Sequence, residues 1–142
     1  PDAWEGVREC TDFGPVARQV VPWYPDSVQN EKELFSVNVW TRGIKDGKKR
    51  PVMLWLHGGG FHVGASNDPM TYGEALAKKG DIVMVSVNHR LNILGFLDLS
   101  ACGEKYAHSA NVGMLDIVKA MEWIQDNIEH FGGNPSDVTI VG

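Results

Sequence analysis

Apolar and polar positions change rhythm several times along the chain, and each rhythm predicts an element. Over residues 34–41, Phe35, Val37 and Val39 alternate with Ser36, Asn38 and Trp40, the period of a strand. Residues 52–57 and 82–88 are instead continuous apolar runs, which fit strands buried on both faces. Between them, residues 70–79 read as a short helix with Gly80 as its stop. The strongest helix follows Asn111 as N-cap, with Met114, Ile117, Val118, Met121, Ile124, Ile128 and Phe131 recurring at helical spacing. Asp116, Lys119, Glu122, Asp126 and Glu129 follow the opposite spacing, Gly132-Gly133-Asn134-Pro135 ends the helix, and residues 138–141 form a last strand. Strand, helix, strand, helix, strand predicts an α/β fold, a parallel sheet with helices on its faces. Residues 1–30 read as an irregular meander, broken by Pro15, Pro22 and Pro25 and anchored by Trp4, Phe13, Trp23 and Tyr24. The sheet-and-helix core then spans residues 34–142.

Composition narrows the function more than the fold. A length of 142 residues corresponds to about one domain. With 43% hydrophobic and 22% charged residues the chain is globular rather than disordered. The net charge of −5 argues against a nucleic-acid or anionic-membrane partner, because no excess of Lys and Arg is available to neutralise phosphates. The one basic cluster, residues 45–50, reads as a solvated hairpin loop. The apolar runs fall far short of the roughly 18 residues a membrane span needs. Cys10 and Cys102 have no metal or redox spacing. Free, fairly buried thiols in a reducing, cytoplasmic compartment are expected, with a disulfide between them as the alternative.

In open α/β sheets chemistry sits at the carboxyl ends of the strands. At one such end stands His57-Gly58-Gly59-Gly60-Phe61. Three glycines allow positive φ and leave no Cβ to keep a ligand atom from the amide N–H groups. Donors aimed at one point stabilise a developing negative oxygen, as an oxyanion hole does. A plain tight turn and a phosphate loop are the competing readings; the run lacks the Gly-Lys-Ser/Thr ending of a P-loop and the spacing of a dinucleotide fingerprint. His57 and His62 are not a metal pair, since a glycine turn rather than a helix separates them, and no metal site is expected.

The chain resembles the type-B carboxylesterases, the bacterial p-nitrobenzyl esterase kind in particular, which implies the α/β-hydrolase fold with a mostly parallel central sheet and flanking helices. The resemblance is carried by Trp4-Glu5-Gly6-Val7, Asp12-Phe13-Gly14-Pro15-Val16, Asn38-Val39-Trp40-Thr41 and Trp55-Leu56-His57-Gly58-Gly59-Gly60-Phe61. It continues through Asn88-His89-Arg90-Leu91, Leu94-Gly95-Phe96-Leu97, Asn111-Val112-Gly113-Met114-Leu115-Asp116 and Trp123-Ile124-Gln125-Asp126-Asn127-Ile128 to Phe131-Gly132-Gly133-Asn134-Pro135. It implies a serine carboxylesterase acting on small carboxylic esters, with no cofactor. The expected partners are the ester and the remainder of the same polypeptide. Residues 1–142 would be part of one domain, with Gly142 as the first glycine of the G-x-S-x-G nucleophile elbow and the triad downstream.

By the same resemblance the oxyanion donors fall on the backbone N–H groups of Gly59 and Gly60, with Gly58 a weaker candidate. His57 and Phe61 brace the loop or line the acyl pocket, a core histidine being the other reading of His57. Arg90 and Asp116 are expected to form a buried ion pair. Three departures stand out. Leu34 occupies the position of a cysteine that is paired in secreted members, Lys32 that of an acid, and Ala110 that of a glycine. The alternative function is a cholinesterase-like binding or adhesion module that has lost its nucleophile.

Overall fold

The computed structural model describes residues 5, 6, 8–20 and 28–142. Trp4, Trp23 and Tyr24, expected as anchors, lie outside the described residues. Phe13 does anchor: its ring stacks on Tyr72 at 5.1 Å between centroids and lies 6.4 Å from Trp40.

Among the described residues, four strands form one sheet in the order β1-β3-β2-β4. They are β1 (Val37–Trp40), β2 (Arg50–Leu56), β3 (Val83–Val87) and β4 (Gly133–Val141). β2 pairs in parallel with β3 and with β4, in the register Leu54↔Val85 and Leu54↔Ile140. The sheet is mostly rather than wholly parallel, as the resemblance implies: β1 runs antiparallel to β3, with Val39 opposite Val85. β1 and β2 are therefore not hairpin neighbours. The segment joining them only has to cross the end of one strand, a span of about 10 Å at the usual strand spacing.

Residues 44–49 of that segment are exposed, as a solvated loop is, but Arg50, where β2 begins, is not. Arg50 is only 4% exposed. Its guanidinium meets both oxygens of Asp46, at 2.6 and 3.1 Å, and its Nε donates to Asp81 at 2.8 Å. These bonds hold both carboxyls below the ordinary carboxylate range and keep Arg50 charged. A buried charge persists only when paired in this way.

Among the described residues, three α-helices flank the sheet: α1 (Glu74–Gly80), α2 (Asn92–Phe96) and α3 (Val112–Asn127). α1 stops one residue later than expected. Asp81, not Gly80, takes the left-handed position at φ 48°, which Asp tolerates better than most residues and which Asp81 combines with its bond to Arg50. α2 was not expected; its five residues are too few to show a period. Asn111 stands at the N-cap of α3 without a side-chain capping bond, because a 3₁₀ turn, Ser109–Asn111, runs directly into the helix.

The core lies between α3 and one sheet face. Val52, Leu54, Val83, Val85 and Val87 pack against Ala120, Ile124 and Ile128. Burying each such aliphatic side chain stabilises the fold by about 1.5–3 kcal/mol. The buried stripe of α3 is Gly113, Ile117, Ala120 and Ile124, so two expected core positions, Met114 and Val118, are exposed. Val118 is turned about 100° from Ile117 and leaves the stripe. Leu34, at the position of the family's cysteine, is fully buried against Ala17 and Leu91, and apolar packing fills that site. Cys10 and Cys102 are free, but exposed rather than buried, because both fall in surface loop or turn segments outside the core. Among the described residues no helix is long and apolar enough to cross a membrane.

Candidate active site

β2 ends at Leu56, and the glycine run leaves the sheet at its carboxyl end. Gly59, Gly60 and Phe61 all have positive φ, at 120°, 60° and 62°. The chain therefore doubles back, and Gly59 O accepts from the N–H groups of His62 at 3.1 Å and Val63 at 3.3 Å. A Cβ on Gly59 would strike Val63 O, so only glycine fits there. Gly60 has open space at its Cα, and Gly58 has open space with ordinary φ. Phe61, a non-glycine at positive φ, holds strain of about 1–3 kcal/mol. Its carbonyl accepts Asn92 N–H at 2.7 Å, and its ring meets Phe96 edge-on at 5.2 Å.

Gly58, Gly59 and Gly60 are exposed, and among the described residues the Gly59 and Gly60 N–H groups donate to no acceptor. Being exposed, two adjacent amides with no protein acceptor are open to water or to a ligand oxygen that displaces it. Beside Gly59 lies a cleft of about 260 Å³ bordered by Trp55, His57, Gly59, Asp68 and Thr71. Trp55 Nε1 is a buried donor without a partner among the described residues. Gly60 and Phe61 do not border this cleft.

The His57 imidazole lies flat on His89, 4.7 Å between centroids and 7° from parallel, and its Nδ1–H donates to Gly58 O at 2.9 Å. Burial holds His57 below its ordinary pKa and so neutral; a charge on His89 would push the same way, while the Gly58 carbonyl opposes it. His62, His108 and His130 are exposed and scattered. Ser66 is buried with its hydroxyl accepting from Asn38 at 3.0 Å, and Ser109 Oγ accepts Leu99 N–H at 2.7 Å; neither is placed as a nucleophile. Among the described residues no group of His, Cys, Asp or Glu is arranged to hold a metal ion.

Arg90 and Asp116 form a two-pronged ion pair. Nη2 is 2.6 Å from Oδ1 and Nε 2.9 Å from Oδ2, and the Arg90 backbone N–H also donates to Oδ2 at 2.9 Å. Lys32 forms no ion pair among the described residues; its neighbour Glu31 accepts the Arg18 N–H at 2.6 Å instead.

Two contacts around the loop carry no sequence signal. Gln19, in the irregular N-terminal segment, places its side-chain amide against the Gly64 backbone. Ser66 N–H donates to the buried Asn88 side chain at 2.9 Å. Isolated polar residues in aperiodic segments look like solvated loop until their partners are seen.

Comparison with known proteins places the chain in a family. The family model described as "Carboxylesterase family" matches residues 1–142, and the chain belongs to that family. It is similar to the para-nitrobenzyl esterase of Bacillus subtilis (strain 168), with 37% identity covering 100% of this chain and 29% of the relative. Mouse carboxylesterase 3B is 41% identical, over 100% of this chain and 26% of its own length. A crystal structure of a Geobacillus stearothermophilus carboxylesterase superposes with a TM-score of 0.89 at 45% identity, covering 99% of this chain and 28% of that one. The fold is that of the α/β-hydrolase carboxylesterases, and the chain spans less than a third of the length of these relatives.

Proposed function

We propose that this chain supplies the oxyanion-binding part of a serine carboxylesterase acting on small carboxylic esters. The observation that carries the reading is the pair of unspent amides, Gly59 and Gly60, at the carboxyl end of a parallel strand. A serine from sequence outside these residues attacks the ester carbonyl, and its proton passes to a histidine, also from outside. The carbonyl oxygen becomes negative as the tetrahedral intermediate forms, and the two N–H groups bind it. Each such donor contributes about 2.7–4 kcal/mol to the transition state. Gly58, with an ordinary φ and open space at its Cα, is the weaker donor. His57 borders the cleft as a neutral wall, and Phe61 braces the loop against Phe96. Residues 1–142 are in this reading part of one domain, and the two unpaired thiols accord with a cytoplasmic location. The para-nitrobenzyl esterase name of one relative supports an aryl or benzyl ester as the first substrate to try.

The test is the full-length gene product. It should carry x-Ser-x-Gly directly after Gly142, with Glu or Gln before the serine, and hydrolyse p-nitrophenyl esters of short acids. The 142-residue chain alone should show no turnover above background, because the nucleophile is not among its residues. Gly, Ala or Asn in place of that serine would overturn the reading in favour of a binding module.

A further inference from the structure

A loop that binds charge through glycine amides cannot hold its own direction, because glycine restricts the backbone least. The restraint has to come from outside the loop. Gln19 is 7% exposed, and its side-chain amide faces Gly64 as a neighbouring strand would. The Gly64 N–H donates to Gln19 Oε1 at 2.8 Å, and Gln19 Nε2 donates to Gly64 O at 2.9 Å. The other Nε2 hydrogen goes to Ala17 O at 3.1 Å, so both donors are spent. Gln29 repeats the pattern one step further out, accepting Gln19 N–H at 3.0 Å and donating to Gln19 O at 2.9 Å.

Gly64 transmits the restraint. Its φ is +114°, and a Cβ there would strike both Gly58 O and the His57 Nδ1. The carbonyl before Gly59 therefore rests directly on Gly64, and Gly64 rests on Gln19. The other side of the loop returns to the same segment, since Asn92 N–H holds Phe61 O and Asn92 Nδ2 donates to Arg18 O at 2.7 Å.

We propose that Gln19 is a positioning residue of the glycine loop: its paired amide fixes Gly64, and through Gly64 the direction in which Gly59 and Gly60 present their N–H groups. The proposal rests on the oxyanion reading above. Gln19 acts through the backbone and touches no substrate. Glutamate cannot replace it, because a carboxylate keeps the bond from Gly64 N–H but sets a negative oxygen against Gly64 O and Ala17 O. Methionine keeps the length and makes none of the three bonds.

The experiment uses the full-length protein with Gln19→Met and Gln19→Glu. With p-nitrophenyl acetate, kcat should fall about 10²-fold, the cost of a misplacement near 1 Å, with KM nearly unchanged. Affinity for a trifluoromethyl ketone, which needs the same amides, should fall in step with kcat/KM. Amide hydrogen exchange over residues 58–66 should quicken while β2 and β3 keep their protection. Wild-type kcat with unchanged loop exchange overturns the proposal, as does protection lost equally throughout the sheet. If the Gln19 variants do not fold, Gln29→Met decides, since Gln29 is exposed and carries only the outer pair of bonds. A smaller fall in kcat then supports the proposal, and wild-type kcat and exchange overturn it. A wild-type enzyme that turns over no ester sinks the esterase reading instead, and loop exchange in the Gln19 variants, or in Gln29→Met where those do not fold, then judges the clamp.

Discussion

β2 and β3 lie side by side and point the same way, yet they end oppositely. β3 runs into Asn88, His89, Arg90 and Leu91, where the polar groups are partnered. Asn88 bridges Ser66 N–H and Pro15 O, His89 Nδ1–H donates to Arg90 O, and Arg90 is gripped by Asp116. β2 runs into three exposed glycines whose second and third amides have no acceptor among the described residues. One strand end is closed by its own side chains, and its neighbour is left open. The open end also leans on the closed one. The His57 ring lies on His89, and Phe61 O is held by Asn92 of α2, directly beyond the closed end. Predictions that attack the closed end should therefore cost stability, and those that attack the open end should cost activity.

The largest effect is expected at the closed end. Asp116 is 7% exposed at its side chain and accepts three hydrogen bonds from Arg90. Asp116→Ala leaves a guanidinium and a backbone N–H without their acceptor. Breaking such a pair costs about 3–5 kcal/mol, and the lower end applies because Arg90 keeps 31% of its side-chain surface in water. Urea unfolding of the full-length protein should show it as a lower midpoint. An unfolding free energy within about 0.5 kcal/mol of wild type would mean the closed end is not held by this pair.

The open end should respond in the opposite sense, and its three glycines should not respond alike. Gly59→Ala forces a Cβ onto Val63 O at φ 120°, so the loop must move. Esterase kcat should drop about 10²–10³-fold, as when one oxyanion donor is lost. Gly58→Ala meets nothing within 4 Å and keeps an ordinary φ, so it should leave most of the rate. Equal losses from both variants would show that glycine is needed for flexibility rather than for the particular geometry at Gly59.

The closed end was more legible than its detail, and the open end more legible than its support. The continuous apolar runs predicted β2 and β3, because strands buried on both faces leave that trace. The glycine run stood out by its place after a buried strand, and the resemblance to the carboxylesterases put the donors on it. The antiparallel β1 did not stand out, since a half-buried edge strand alternates in the same way whichever direction its neighbour runs. The apolar spacing of α3 included Met114 and Val118, because a helix with apolar residues on two sides does not say which side meets the sheet. Arg50 read as loop charge because its two carboxylate partners come from different parts of the chain. Gln19 was invisible for the same reason: Gly64 lies 45 positions away.

The smallest expected effect lies where the two ends touch, at the His57–His89 stack. Burial depresses the pKa of His57 from its ordinary value of 6.5. As pH falls through about 6.5, the unfolded chain takes up a proton on this residue while the folded chain resists it until lower pH. The unfolded state binds more protons in that window, so stability falls as pH falls, and the contribution is fully present only above the unfolded value. The lowered carboxyls of Asp46 and Asp81 act elsewhere, since their contribution is present above an ordinary value of 3.8 and is lost only as pH drops below it. His57→Phe keeps a ring over His89 and removes the titration. Urea midpoints at about pH 8 and about pH 5 should differ less in this variant than in wild type. A wild-type protein whose midpoint changes no more than the variant's across that range would show that the stack holds the loop by contact alone, and that the neutrality of His57 adds nothing to it.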